Sequence, residues 1–129
     1  MLMALKDKRQ IEKNHSLFQS LKHASVGLKN VYHSERNFRH HVLIALLVVV
    51  AGLVYALNFM EWALILGCIA AVLVAEIFNS AIERLADLAS HGRYHPLIKQ
   101  AKDFAAGGVL VTAIFAAVIG LIIFGHKIF

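Results

Sequence analysis

Charge and covalent cross-links are both scarce in this chain. Its 129 residues include one Cys, one Pro and one Trp, and only 16% are charged. A single Cys excludes a disulfide framework and a Cys-based metal centre. A single Pro excludes collagen-like and polyproline classes. No P-loop, Gly-x-Gly-x-x-Gly or Gly-x-Ser-x-Gly pattern is present, so any nucleotide would have to be held by a metal, Lys or Arg side chains and carboxylates. Soluble domains carry about 25% charged residues. What fills the space here is apolar, at 59% of the chain. That balance excludes disorder, argues against an ordinary soluble domain and points to one small integral membrane domain.

The net charge of +5 is concentrated rather than spread. Residues 1–41 hold eight of the 13 Lys and Arg and three acids, and the remaining residues sum to zero. Basic balance of this kind reads as a membrane protein's cytoplasmic flank and not as a nucleic-acid surface.

Residues 1–15 are polar and aperiodic and read as a tail. No apolar run follows their charges before residue 42, which does not fit a secretory signal peptide. Residues 16–41 read as an amphipathic helix lying in the membrane interface. Ser16 and Gln19 fit a capping box, and Leu17, Leu21, Ala24, Leu28, Val31, Tyr32 and Phe38 share one face. Uncharged or nearly uncharged runs follow at 42–57, at 62–78 within a helix that continues to residue 90, and at 104–125. Three spans are expected, joined by a 58–61 loop and by a Gly92/Pro96 breaker. The fold class is therefore all-α. The positive-inside rule places the N-terminus and the 84–103 segment in the cytoplasm and the C-terminus outside, in a multi-pass plasma-membrane protein.

Acids stand where apolar residues belong. Glu76 lies about 21 Å along the second span from Trp62, and a carboxylate at mid-membrane costs about 2.5–3.5 kcal/mol, less near the edge. At about 100° per residue, Glu76, Asn79, Ser80, Glu83 and Asp87 fall on one face roughly 100° wide. Three like charges on one stripe require compensation by a divalent metal, a Lys or an Arg. Glu35, five turns beyond Leu17, falls in the apolar stripe of the amphipathic helix, with Arg39 one turn on. Carboxylates with few nitrogen ligands suit Mg²⁺ shared with phosphate oxygens. Lys102 and Asp103 precede the last span, where Ala105, Gly108 and Thr112 offer a small-residue face for close helix approach. The eight His read as interfacial residues, Cys68 as a small core hydrophobe, and Tyr55, Phe59 and Trp62 as an interface belt.

The stretch Glu76-Ile-Phe-Asn-Ser-Ala-Ile-Glu83-Arg-Leu-Ala-Asp87 resembles the signature of the small prokaryotic membrane-bound diacylglycerol kinases. Ala101-Lys102-Asp103-Phe-Ala-Ala-Gly107 resembles their second motif, and Glu35-Arg-Asn-Phe38-Arg39 the acidic turn before their first span. The pair Glu61-Trp62 and the closing Gly-Leu-Ile-Ile-Phe resemble the Gram-positive branch, whose members phosphorylate undecaprenol. The resemblance implies three transmembrane helices plus a surface helix, assembled as a homotrimer with active sites between subunits. It implies Mg²⁺ and ATP, with Glu76 as the general base on the lipid hydroxyl and Glu35 and Glu83 as metal ligands. Glu35, Asn79, Glu83, Lys102 and Asp103 would bind the nucleotide, and Phe38, Arg39 and Glu76 would meet the lipid. After Arg39 the family's best-known member has Gln-Glu, where this chain has His40-His41. The function so implied is transfer of the γ-phosphate of ATP to undecaprenol. The alternatives are a diacylglycerol kinase making phosphatidic acid and, in a different class, a small proton or ion transporter subunit with Glu76 as relay.

Overall fold

A computed structural model describes residues 16–129, which are almost entirely helical, with no strand among the described residues. The polar tail at 1–15 lies outside the described residues. Four helices follow in order: α1 (Leu17–Ser34), α2 (Arg36–Val54), α3 (Phe59–Ser90) and α4 (Pro96–Ile128). The last three are long and apolar enough to cross a membrane. The chain divides into two compact units between Asn30 and Val31.

In the first unit α1 starts where Ser16 Oγ accepts the Gln19 N–H at 3.1 Å, satisfying one of the donors left open at a helix start. Its apolar side chains, Leu17, Phe18, Leu21, Val26 and Leu28, are all exposed.

The second unit begins with the last turn of α1. Here the structure departs from a single helix over 16–41. Glu35 is extended (φ −110°, ψ 109°) and forms the N-cap of α2. The break leaves the last carbonyls of α1 open, and Arg39 closes them. Its Nη1 donates to Tyr32 O at 2.9 Å and to His33 O at 2.8 Å. A guanidinium at a helix C-terminus both bonds the orphan carbonyls and matches the negative end of the dipole.

Helix α2 ends in a Schellman motif. Leu57 N–H donates to Gly52 O at 3.1 Å and Ala56 N–H to Leu53 O at 3.3 Å, with Ala56 left-handed at φ 51°. The next helix starts earlier than expected. Asn58 is its N-cap, and a reciprocal pair joins Asn58 Oδ1 to Glu61 N–H and Glu61 Oε2 to Asn58 N–H, both at 2.9 Å. Residues 58–61 are therefore a helix start and not a loop. The same Schellman geometry ends α3, with His91 left-handed at φ 51°. Pro96 then opens α4, eight residues before the apolar run, because its fixed φ suits the first helical position.

Helix α4 packs along α3, and α2 packs on α3. The apolar core sits at the end of the bundle formed by the α2–α3 connection and the close of α4. Leu57, Ile65 and Ile123 are buried there, with Val48, Trp62, Ile69, Ile119 and Phe124 against them. Trp62, expected in an interface belt, lies over Gly52. A Cβ on Gly52 would stand 2.7 Å from the Trp62 ring, so only glycine permits this approach. Glu61 and Lys127 pair at 3.1 Å at the same end. Most of the apolar surface of α2, α3 and α4 stays uncovered, and only 6% of the most apolar stretch of α4 is buried.

Candidate active site on the third helix

The buried line of α3 begins as Ile65, Cys68 and Val72 and then turns polar, as Glu76 and Ser80. Glu76 is 4% exposed. An isolated carboxylate cannot be held there without a partner. The partner is His41 on α2, whose Nε2 lies 3.1 Å from Glu76 Oε1. The imidazole keeps 24% of its surface exposed, against 6% for the carboxylate, so it stands between the acid and the outside.

His41 is the residue beside Glu76 that sequence reasoning missed, since all eight His were read as interfacial. A signal was available. Phe38, His41, Ala45, Val48 and Gly52 recur at three- and four-residue steps, the spacing of one helix face, and all are buried or half-buried. His41 is the one titratable member of that face.

One turn beyond Glu76, Asn79 Nδ2 donates to Glu83 Oε1 at 3.3 Å. Asn79 Oδ1 is buried and has no hydrogen-bond partner. Such an orphaned acceptor, beside a half-buried carboxylate, calls for a donor or a cation. The α3 stripe is thus assembled as the spacing predicts, with Glu76 and Ser80 buried, Asn79 and Glu83 half-buried and Asp87 exposed.

Glu35 is brought beside α3 by the break between α1 and α2. Its Oε1 lies 3.3 Å from Arg84 Nη2, and the same nitrogen donates to Ser34 Oγ at 2.6 Å. Glu35 therefore sits beside α3 because it caps α2, and not because it lies on the stripe of a continuous helix. Phe38 is buried at the α1–α2 corner, and Arg39 is spent on the carbonyls of α1. The two residues tied to the lipid by resemblance thus both have structural contacts here.

At the far end of α3, Lys102 Nζ lies 2.5 Å from Asp87 Oδ1. Asp103 pairs one turn back on its own helix with Lys99 at 2.6 Å. Beside these pairs Asp87, Arg93, Tyr94, His95, Lys99 and Lys102 help line a cleft of about 450 Å³. Its charged lining is predominantly basic, and the Tyr94 ring contributes to it. Among the described residues no three His, Cys, Asp or Glu side chains form a ready-made metal cage. Mg²⁺ held mainly by phosphate oxygens needs only one or two protein carboxylates. Glu83 beside the orphaned Asn79 Oδ1 fits that demand, whereas Glu35 is engaged by Arg84.

The family described as prokaryotic diacylglycerol kinase matches residues 22–124. The chain belongs to that family. Diacylglycerol kinase family relatives include the undecaprenol kinase of Bacillus subtilis, 40% identical over 111 residues, covering 86% of this chain and 89% of that protein. The diacylglycerol kinase of Helicobacter pylori (strain 26695) is 40% identical over 100 residues, 77% of each chain. That of Escherichia coli K12 is 32% identical over 92 residues, 71% of this chain and 75% of that protein. The matched region holds every site residue discussed above. Membership leaves the transporter reading of Glu76 without support.

Proposed function

We propose that the protein is an ATP-dependent lipid kinase that transfers the γ-phosphate of ATP to the hydroxyl of undecaprenol at the cytoplasmic face of the plasma membrane. The observation that carries this reading is the buried Glu76 carboxylate, held by His41 at the head of the polar stripe Asn79–Glu83–Asp87. A kinase needs a base for the alcohol and polar groups for the phosphates, and the two are adjacent on one helix.

Glu76 takes the proton of the lipid hydroxyl as its oxygen attacks the γ-phosphorus. The new P–O bond forms, the bond to the β,γ-bridging oxygen breaks, and ADP leaves with the electron pair. Glu35 and Glu83 hold the metal, and Asn79 Oδ1 adds a neutral ligand or orders the site. Mg²⁺, when bound with ATP, neutralises phosphate charge. Lys102 and Asp103 meet the nucleotide in the cleft beside them. Lys102 must leave Asp87 to do so. With their side chains 39% and 64% exposed, that pair is worth at most about 1 kcal/mol, so the exchange is cheap. Phe38 and Arg39 act on the lipid side by shaping the α1–α2 corner next to His41.

A homotrimer completes the site. The support is the uncovered apolar surface of the spans and the open small-residue face of α4, where a Cβ on Gly108 would meet nothing within 4 Å. A second copy against such a face would shield the acids of α3 from lipid. The exposed apolar side of α1 suits the membrane surface. The bases around Arg84, Arg93, Lys99 and Lys102 favour a cytoplasmic site, where ATP is available, while the paired Glu61 and Lys127 mark the outer end.

The second reading, a diacylglycerol kinase, is favoured by the names of several relatives. The Bacillus subtilis relative, with its coverage of both chains, favours undecaprenol. Purified protein in bilayer discs with Mg·ATP should convert undecaprenol with a kcat/KM above that for diacylglycerol. The reverse order would assign the second reading, and transfer to neither lipid would refute the kinase.

A further inference from the structure

Glu76 is buried and needs more than a pocket. A carboxyl base at the membrane edge must be ionised when the alcohol arrives and must present one oxygen to it. Burial strips a carboxylate of its hydration, and a free carboxylate rotates. The side chain within hydrogen-bond distance is His41, across the α2–α3 contact at 3.1 Å. An ionised carboxylate only accepts, so a hydrogen bond formed across this contact would run from the His41 nitrogen to Glu76.

His41 is itself placed with care. It sits on the inward face of α2, one turn past Phe38, which is 6% exposed and anchors the corner. Arg39 fixes the same turn by holding the last carbonyls of α1. The turn of α2 that carries the imidazole is therefore held in place at the α1–α2 corner. The adjacent His40 points outward and is exposed.

We propose that His41 is the positioning residue of the catalytic base: its Nε2–H holds Glu76 Oε1, so that Oε2 takes the lipid hydroxyl proton. This deepens the lipid-kinase reading and rests on it. His41 touches neither the phosphates nor the alcohol. Its loss should therefore lower kcat and leave the KM values for ATP and lipid nearly unchanged.

The test uses the whole protein in bilayer discs with Mg·ATP and undecaprenol or diacylglycerol, whichever wild type turns over faster. Replacing a general base costs about 10²–10⁴-fold, so loss of its positioning partner should cost less. His41→Leu keeps the volume and removes the donor, and kcat should fall about 10- to 100-fold with KM values within about threefold of wild type. His41→Gln keeps an N–H donor, and kcat should return to within about fivefold of wild type. His40→Ala should match wild type. Wild-type kcat in His41→Leu would overturn the proposal, as would a His41→Gln no better than Glu76→Gln. If His41→Leu does not fold, the Gln variant still decides. Wild type inactive on both lipids would instead overturn the kinase reading itself, so the two failures are distinguishable.

Discussion

Lys102 Nζ lies 2.5 Å from Asp87 Oδ1, joining the close of α3 to the first turns of α4. The contact crosses the breaker at Gly92–Pro96 and forms one wall of the basic cleft. Lys102 is therefore positioned by an acid that, on the proposed nucleotide role, it would give up when phosphate binds. Lys102→Ala should raise the KM for ATP at least about tenfold, while its stability falls by less than about 1 kcal/mol because the pair is exposed. Parallel steady-state kinetics and thermal melts check both halves. A large stability loss with unchanged KM would make Lys102 a structural strut.

Glu83 accepts from Asn79, whose Oδ1 has no partner, and the proposed metal would bind at this pair. Glu83→Ala should shift the Mg²⁺ titration of activity to higher concentration and weaken nucleotide binding with it, since Mg²⁺ would be shared with phosphate oxygens. An unchanged metal titration would refute the ligand assignment.

Gly52 lies under Trp62 in the apolar end of the bundle, not at the Glu76–Glu83 stripe. Gly52→Ala would put a methyl group 2.7 Å from the Trp62 ring. Overpacking of this kind costs about 1–3 kcal/mol. The melting temperature should drop, and kcat of the folded fraction should hold. Gly52→Ala combined with Trp62→Leu should recover part of the loss. A melt unchanged in the single variant would mean that α2 and α3 can separate there at little cost.

Much of the site was legible before any coordinates, because membrane apolarity makes an acid conspicuous and helical spacing then groups its neighbours. Glu76, Asn79, Glu83 and Asp87 fell on one face and do so in the structure. What escaped reading were features set by breaks and caps. The apolar stripe of α1 was carried through Glu35, although the helix resets there, and this alone gives Glu35 its place beside Arg84. Asn58 and Glu61 carried a capping-box spacing inside a segment read as a loop. Pro96 opened α4 well before the apolar run because residues 97–103 are polar enough to resemble a connection. His41 was hidden for a different reason. Its significance depends on Glu76, which is 35 residues away in sequence and adjacent only once α2 and α3 pack.

The central claim is that Glu76 removes the proton from the lipid hydroxyl. Glu76→Gln keeps the shape and a hydrogen-bonding oxygen for His41 and removes the base. The direct measurement is single-turnover transfer of radiolabelled γ-phosphate from Mg·ATP to the lipid alcohol in bilayer discs. Nucleotide binding and oligomer size are followed on the same preparation. The expected result is a loss of about 10²-fold or more in the transfer rate, with binding and assembly intact. A Glu76→Gln protein that transfers phosphate at the wild-type rate would contradict it.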